Sequence, residues 1–249
     1  MQSGNPVLRN KDFGQAAGEV MTMDGTVGKA AILFVLLVLA AGWTWVRFNT
    51  VLAAAGPQAA MAAVSLFIWG GVLVGFGLAL VTVFKSAWSA VTAPLYAMAE
   101  GFALGGLSAM FELRYQGIVV QAVGLTFGVL AVMLFLYRTR VIRVTEKFRF
   151  GVVAATGAIA LLYLVDLGLR AFTSLDIPFI HEGGLVGIGF SLLVVGLAAL
   201  NLTLDFDAIE RGVAQGAPKV MEWYGAFSLM VTLVWLYLEI LRLLAKSRR

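Results

Sequence analysis

The chain has 249 residues, of which 61% are hydrophobic and 13% charged, with a formal net charge of +4, whereas soluble domains hold about 45–50% apolar and about 25% charged residues. That balance excludes an ordinary soluble domain and makes the lipid bilayer the first expected partner. The absence of cysteine excludes disulfides, thiolate metal sites, iron–sulfur clusters and cysteine nucleophiles, and a single histidine, His181, leaves no cluster for zinc or haem.

A helix needs about 20 apolar residues to cross about 30 Å of hydrocarbon. Cut on that basis, the sequence predicts an all-α integral membrane protein with seven spans: Ala30–Val46, Ala59–Phe84, Ser89–Phe111, Gly117–Tyr137, Arg149–Phe172, Gly183–Leu204 and Trp223–Ala245. The organisation is a leader over 1–29, a transmembrane domain over 30–245 and a basic tail over 246–249. Ala53-Ala54-Ala55 after the first span resembles a signal-peptidase site, but the run is longer than a usual h-region of about 7–15 residues. It is read as a first transmembrane helix.

Breaks between spans have local causes, including Gly56-Pro57 after the first, Lys85 with Pro94 around the second, and Glu112 with Arg114 after the third. The connector 138–149 carries Arg138, Arg140, Arg143, Lys147 and Arg149, which reads as a cytoplasmic loop. Eleven Lys and Arg fall on the side of the N-terminus and seven opposite, four of the seven in Arg242, Lys246, Arg248 and Arg249. The contrast predicts a cytoplasmic N-terminus. The tail argues the other way: either it lies outside, or the last segment is re-entrant. Basic residues at the ends of apolar runs suit lipid headgroups, and no nucleic-acid partner is expected.

Glycines four apart, Gly71/Gly75, Gly101/Gly105, Gly124/Gly128 and Gly183/Gly187, predict close helix packing within the bundle.

Ionisable groups at membrane depth cost about 2.5–3.5 kcal/mol on insertion scales. Glu100 lies midway along the third span, Asp166 and Arg170 near the end of the fifth, Asp205 and Asp207 at the close of the sixth, and Glu239 in the seventh. Asp166 precedes Arg170 by four residues, the favourable order for a structural ion pair. In the sixth span Gly187, Ser191, Val194, Ala198, Asn201 and Asp205 share one stripe, and in the seventh Gly225, Ser228, Thr232, Trp235 and Glu239 do so, continued by Arg242. Both stripes should face the protein interior. They can line a cation path, hold a proton between carboxylates, or serve interhelical hydrogen bonding.

Ser108 in Gly-Gly-Leu-Ser-Ala is similar to serine sites of intramembrane proteases, but its one histidine is in a loop, so no enzyme and no catalytic residue is expected. Walker and dinucleotide fingerprints are absent, and no cofactor is expected. The segment 205–222, with Phe206, Ile209 and Val213 on one face before Gly212, Gly216 and Pro218, reads as a short interfacial helix.

Four segments carry a family resemblance: Ser-Gly-Asn-Pro-Val-Leu (3–8), Tyr-Ala-Met-Ala-Glu-Gly (96–101) with Leu-Gly-Gly-Leu-Ser-Ala (104–109), Leu-Asp-Phe-Asp-Ala-Ile-Glu (204–210), and Glu-Trp-Tyr-Gly-Ala-Phe (222–227). In their order they resemble a bacterial branch of the Bax inhibitor-one, or transmembrane Bax inhibitor motif, family. The resemblance implies six helices around a central seventh, a multi-pass protein of the bacterial inner membrane, and a pH-sensitive calcium leak channel or regulator of ion balance. Calcium or protons would be the permeant ions. It also implies a gate in which an acid near the end of the sixth helix pairs with one in the seventh. The first acid falls at Asp205, which is then also the candidate calcium-contacting residue; the second falls at Thr232, which is no carboxylate. A proton-sharing pair would need Asp207, Glu222 or Glu239 as partner. The resulting set of pore or gate residues is Asp205, Asp207, Thr232, Glu239, Glu100, Asn201 and Ser228. A non-conducting regulator that binds other membrane proteins through the tail and the 138–149 connector is the alternative.

Overall fold

A computed structural model describes residues 19–173, 177, 180 and 184–248. Among them are six α-helices: α1 (Met23–Phe84), α2 (Ser89–Arg114), α3 (Ile118–Arg138), α4 (Glu146–Phe172), α5 (Leu185–Ala214) and α6 (Met221–Ser247). Five are long and apolar enough to cross a membrane, and α2 is the exception. Its shortfall is compositional, since Ser89, Thr92, Glu100, Ser108, Glu112 and Arg114, with the glycines Gly101, Gly105 and Gly106, dilute its apolar side chains. The protein is thus an all-helical, multi-pass membrane protein, with six helices among the described residues where seven spans are expected.

The difference lies in α1. At 62 residues a straight helix would be roughly 90 Å long, about three times the hydrocarbon thickness. Gly56 breaks it with φ 82° and ψ 179°, a backbone region open essentially to glycine alone, and Pro57 starts the next turn with its fixed φ. The two arms fold back on each other. Trp43 and Phe67 meet edge to face at 4.9 Å, and Phe48, Ala60, Val64 and Ile68 form one buried cluster with Ala109 of α2.

α2 lies against both arms, at glycines where nothing larger fits. A β-carbon on Gly101 or Gly105 would strike the backbone of Leu37 or Ala41, and one on Gly71 the carbonyl of Ala99. Those pairs are packing glycines, as expected. Gly124 and Gly128 of α3 are not, because a β-carbon there would meet nothing; spacing alone does not supply a facing helix. Gly183 lies outside the described residues, as do Arg9, Lys11, His181, Arg249 and the 3–8 motif.

α5 also departs from expectation. It runs on through Asp205 to Ala214 as one helix, with no separate interfacial helix. Nothing between Leu204 and Ala214 breaks it, and Asp207 pairs with Arg211 one turn on, in the order that supports a helix. The stop comes at Gly216, whose φ is 64°. Pro94 lies inside α2 rather than in the break before it.

α6 packs on α1, α2, α3 and α5 and joins both larger hydrophobic clusters: Ala226, Phe227 and Met230 sit with Leu33, Leu37 and Tyr96, and Leu236, Ile240 and Leu241 with Ile118, Ala122 and Leu202. It is a continuous helix from Met221 to Ser247 with no re-entrant turn. Its start adjoins residues 19–22, where Met21 N–H donates to the Ala217 carbonyl (2.7 Å) and Lys219 N–H to that of Glu19 (2.9 Å). Its end adjoins the α2–α3 loop, where Arg248 donates to the Gln116 carbonyl (2.9 Å) and the Gln121 side chain (2.8 Å). Residues 246–248 therefore lie at the end of the bundle opposite residues 19–22.

Candidate functional site: the polar seam between α5 and α6

The two predicted stripes face each other across an antiparallel interface. On α5, Gly187, Ser191, Val194, Ala198 and Asp205 are buried; on α6, Gly225, Thr232 and Glu239 are. Asp205, 9% exposed, accepts a hydrogen bond from the Ser228 hydroxyl at 2.6 Å on Oδ1. Its other oxygen, Oδ2, is buried with no hydrogen-bond partner among the described residues. Such an oxygen forfeits its hydration without replacement, a costly state for a carboxylate.

That carboxylate lines a pocket of about 340 Å³ shared with Thr156 of α4, Asn201 of α5, and Ser228, Thr232 and Trp235 of α6, closed on the α1 side by Ala79 and Val83. Asn201 is held there by donating to the Thr156 hydroxyl (2.8 Å) and to the Leu197 carbonyl (2.9 Å). Thus four expected residues, Asp205, Asn201, Ser228 and Thr232, come together. No second carboxylate joins them among the described residues, in keeping with a threonine at 232.

The other three expected residues lie elsewhere. Glu239, 1% exposed, gathers three donors on one oxygen: Arg242 (2.7 Å), the Tyr163 hydroxyl of α4 (3.0 Å) and the Trp235 indole (3.2 Å). Trp235 therefore joins the Asp205 pocket to this second layer. Asp207 faces the 138–149 connector, paired with Arg149 at 3.0 Å and with Arg211. Glu100 stands against Gly75 on the second arm of α1 and does not line the Asp205 pocket. Asp166 is buried and accepts from the Ile177 backbone N–H at 3.0 Å.

At the far end of the seam Lys246 is buried and donates to the Gly187 carbonyl (3.0 Å) and the Ser191 hydroxyl (2.9 Å). Sequence reasoning placed this lysine in a basic tail beyond the membrane domain; its signal was the small, polar Gly187-Ser191 step that needed a donor. Thr156 and Tyr163 were missed as well, although each is a hydroxyl in an otherwise apolar stretch of α4. The seam thus runs from Asp205 through Asn201, Thr232, Trp235 and Glu239 to Lys246.

No group of three or more His, Asp or Glu able to hold a metal occurs among the described residues. Calcium takes about six to eight oxygen ligands, and the pocket has one carboxylate with hydroxyls and an amide. That donor set falls short of a full calcium shell.

A family profile described as Bax inhibitor 1 like matches residues 5–249. No curated protein and no solved structure matches the chain.

Proposed function

The chain belongs to the Bax inhibitor 1 like family, and from this premise we propose that it is a slow leak path for calcium or protons across the cell membrane, gated at Asp205. The observation that carries the reading is the buried Asp205 Oδ2 with no hydrogen-bond partner among the described residues, in a pocket lined by hydroxyl and amide groups. An intramembrane carboxylate oxygen with no hydrogen bond offers a cation its first ligand, because it gains what burial withheld.

The gate works without a shared proton between two acids. Closure rests on the Asp205–Ser228 hydrogen bond and on the one that the Trp235 indole donates to Glu239, and opening separates α5 from α6. In this reading the two arms of α1 count as separate crossings, giving seven with α6 central, and the end that holds the leader and the 138–149 connector faces the cytoplasm, in a bacterial inner membrane. Calcium is cargo rather than cofactor, and the role is not enzymatic; the Ser108 hydroxyl is engaged with that of Tyr237 at 2.7 Å. A partner-binding regulator is less well supported, since Lys246 and Arg248 of the tail are bonded within the bundle.

The test is calcium and proton flux into liposomes holding the purified protein, compared with Asp205→Asn. Flux above protein-free vesicles that falls with Asp205→Asn is expected; background flux in both overturns the reading.

A further inference from the structure

On the opposite face of α6 lies a second cavity, of about 460 Å³, walled by the first arm of α1 with α2, α3 and α6. At 100° per residue, Met230, Val234 and Tyr237, which line it, point away from the stripe of Ser228, Thr232 and Glu239. We propose that this cavity is a binding site for one acyl chain of a membrane phospholipid, entering sideways between α1 and α3.

The opening is built into the packing. α1 and α3 make no backbone contact; they touch through Phe34 and Phe127, edge to face at 5.3 Å. Beside that ring pair Val38, Val123 and Phe127 are 46%, 41% and 42% exposed, in helices that cross the bilayer. The medium at this doorway is therefore hydrocarbon. The inner wall, formed by Leu104, Met230 and Val234, is buried and out of reach of lipid that surrounds the protein.

The chemistry inside selects the occupant. Water in a cavity needs two to four polar partners, and the hydroxyls here are already engaged: Ser108 with Tyr237 at 2.7 Å, and Thr126 with the Ala122 carbonyl at 2.7 Å. A dry apolar cavity of about 150 Å³ takes up benzene, and this one is about three times larger. A flexible hydrocarbon chain fits such a space, and the bilayer supplies it at the door.

The experiment uses the full chain in vesicles of phosphatidylcholine whose acyl chain carries a mid-chain diazirine. After photolysis, labelled positions are mapped by mass spectrometry. Labelling is expected at Leu104, Met230 or Val234 as well as at lipid-facing Trp69 and Phe76. Gly42 lines the cavity and has no atom within 4 Å of where a β-carbon would stand, so Gly42→Phe plugs the mouth without striking backbone; Val123→Trp does so from the α3 side. Loss of inner-wall labelling in either variant, with Trp69 and Phe76 still labelled, supports the site. An unlabelled inner wall in the unmodified chain, or inner-wall labelling undiminished in both variants, overturns it.

Discussion

Glu222 at the start of α6 and Lys29 in α1, 193 positions apart, form an ion pair in which the carboxylate is 1% exposed. Thr22 adds its backbone N–H and its hydroxyl to the same carboxylate, each at 2.9 Å, and the Lys29 ammonium lies 5.6 Å from the Trp223 ring. Outside the bilayer, Glu19 pairs with Lys219 and raises its ammonium above the ordinary lysine value. Removing one member of a buried pair costs about 3–5 kcal/mol because the other stays charged and unpaired. Lys29→Met is therefore expected to destabilise by about 3 kcal/mol, the low end, since Thr22 remains. Thermal unfolding in detergent measures this, and an unchanged midpoint contradicts it.

Ser228→Ala should loosen the gate while Asp205→Asn should weaken the path. A hydrogen bond to a charged group contributes about 1.5–3 kcal/mol, so losing the one from Ser228 shifts the closed–open balance by about tenfold or more. Vesicle flux is expected to rise in Ser228→Ala and to fall in the double variant with Asp205→Asn. A fall in Ser228→Ala alone would assign that hydroxyl to conduction instead.

Glu239 and Arg242 form the second layer, and a double-mutant cycle reads their coupling. Arg242→Met leaves a buried carboxylate held only by Tyr163 and Trp235 and should cost about 3 kcal/mol or more. Adding Glu239→Gln should recover part of that loss. Purely additive effects in thermal unfolding would show that the two charges do not depend on each other.

Gly56→Ala should destabilise by about 1–3 kcal/mol, the range for a non-glycine residue forced into a glycine-only region. Because a β-carbon at Gly56 would meet no neighbour, the loss would come from backbone strain alone. Gly124→Ala, where φ is ordinary and space open, should instead be neutral or mildly stabilising through helix propensity. Equal loss in both would remove the distinction between them.

Sequence alone could reach the two facing stripes, because polar residues at steps of three and four stand out against leucine and valine and cannot face lipid. Gly56-Pro57 was likewise legible as a turn, each residue limiting the backbone in its own way. What hydropathy could not give was the end of α5: charge after Leu204 resembles a helix leaving the membrane, whereas Asp207, Glu210 and Arg211 continue the same helix into the connector's basic residues. Nor could it place Lys246, since a lysine near a basic terminus carries no mark of burial. Gly124 and Gly128 show the converse: residues that permit close packing do not create a neighbour.

The position of α6 bears on how the protein is made. It follows the other described helices in chain order, yet it completes both large hydrophobic clusters and is fastened at one end to residues 19–29 and at the other to the α2–α3 loop. Until it leaves the ribosome, the earlier helices border an unfilled groove, with Asp205 lacking Ser228 and Lys29 lacking Glu222. A chain truncated before Met221 therefore lacks the helix that completes both clusters, and should be recovered from membranes in lower yield than the full chain.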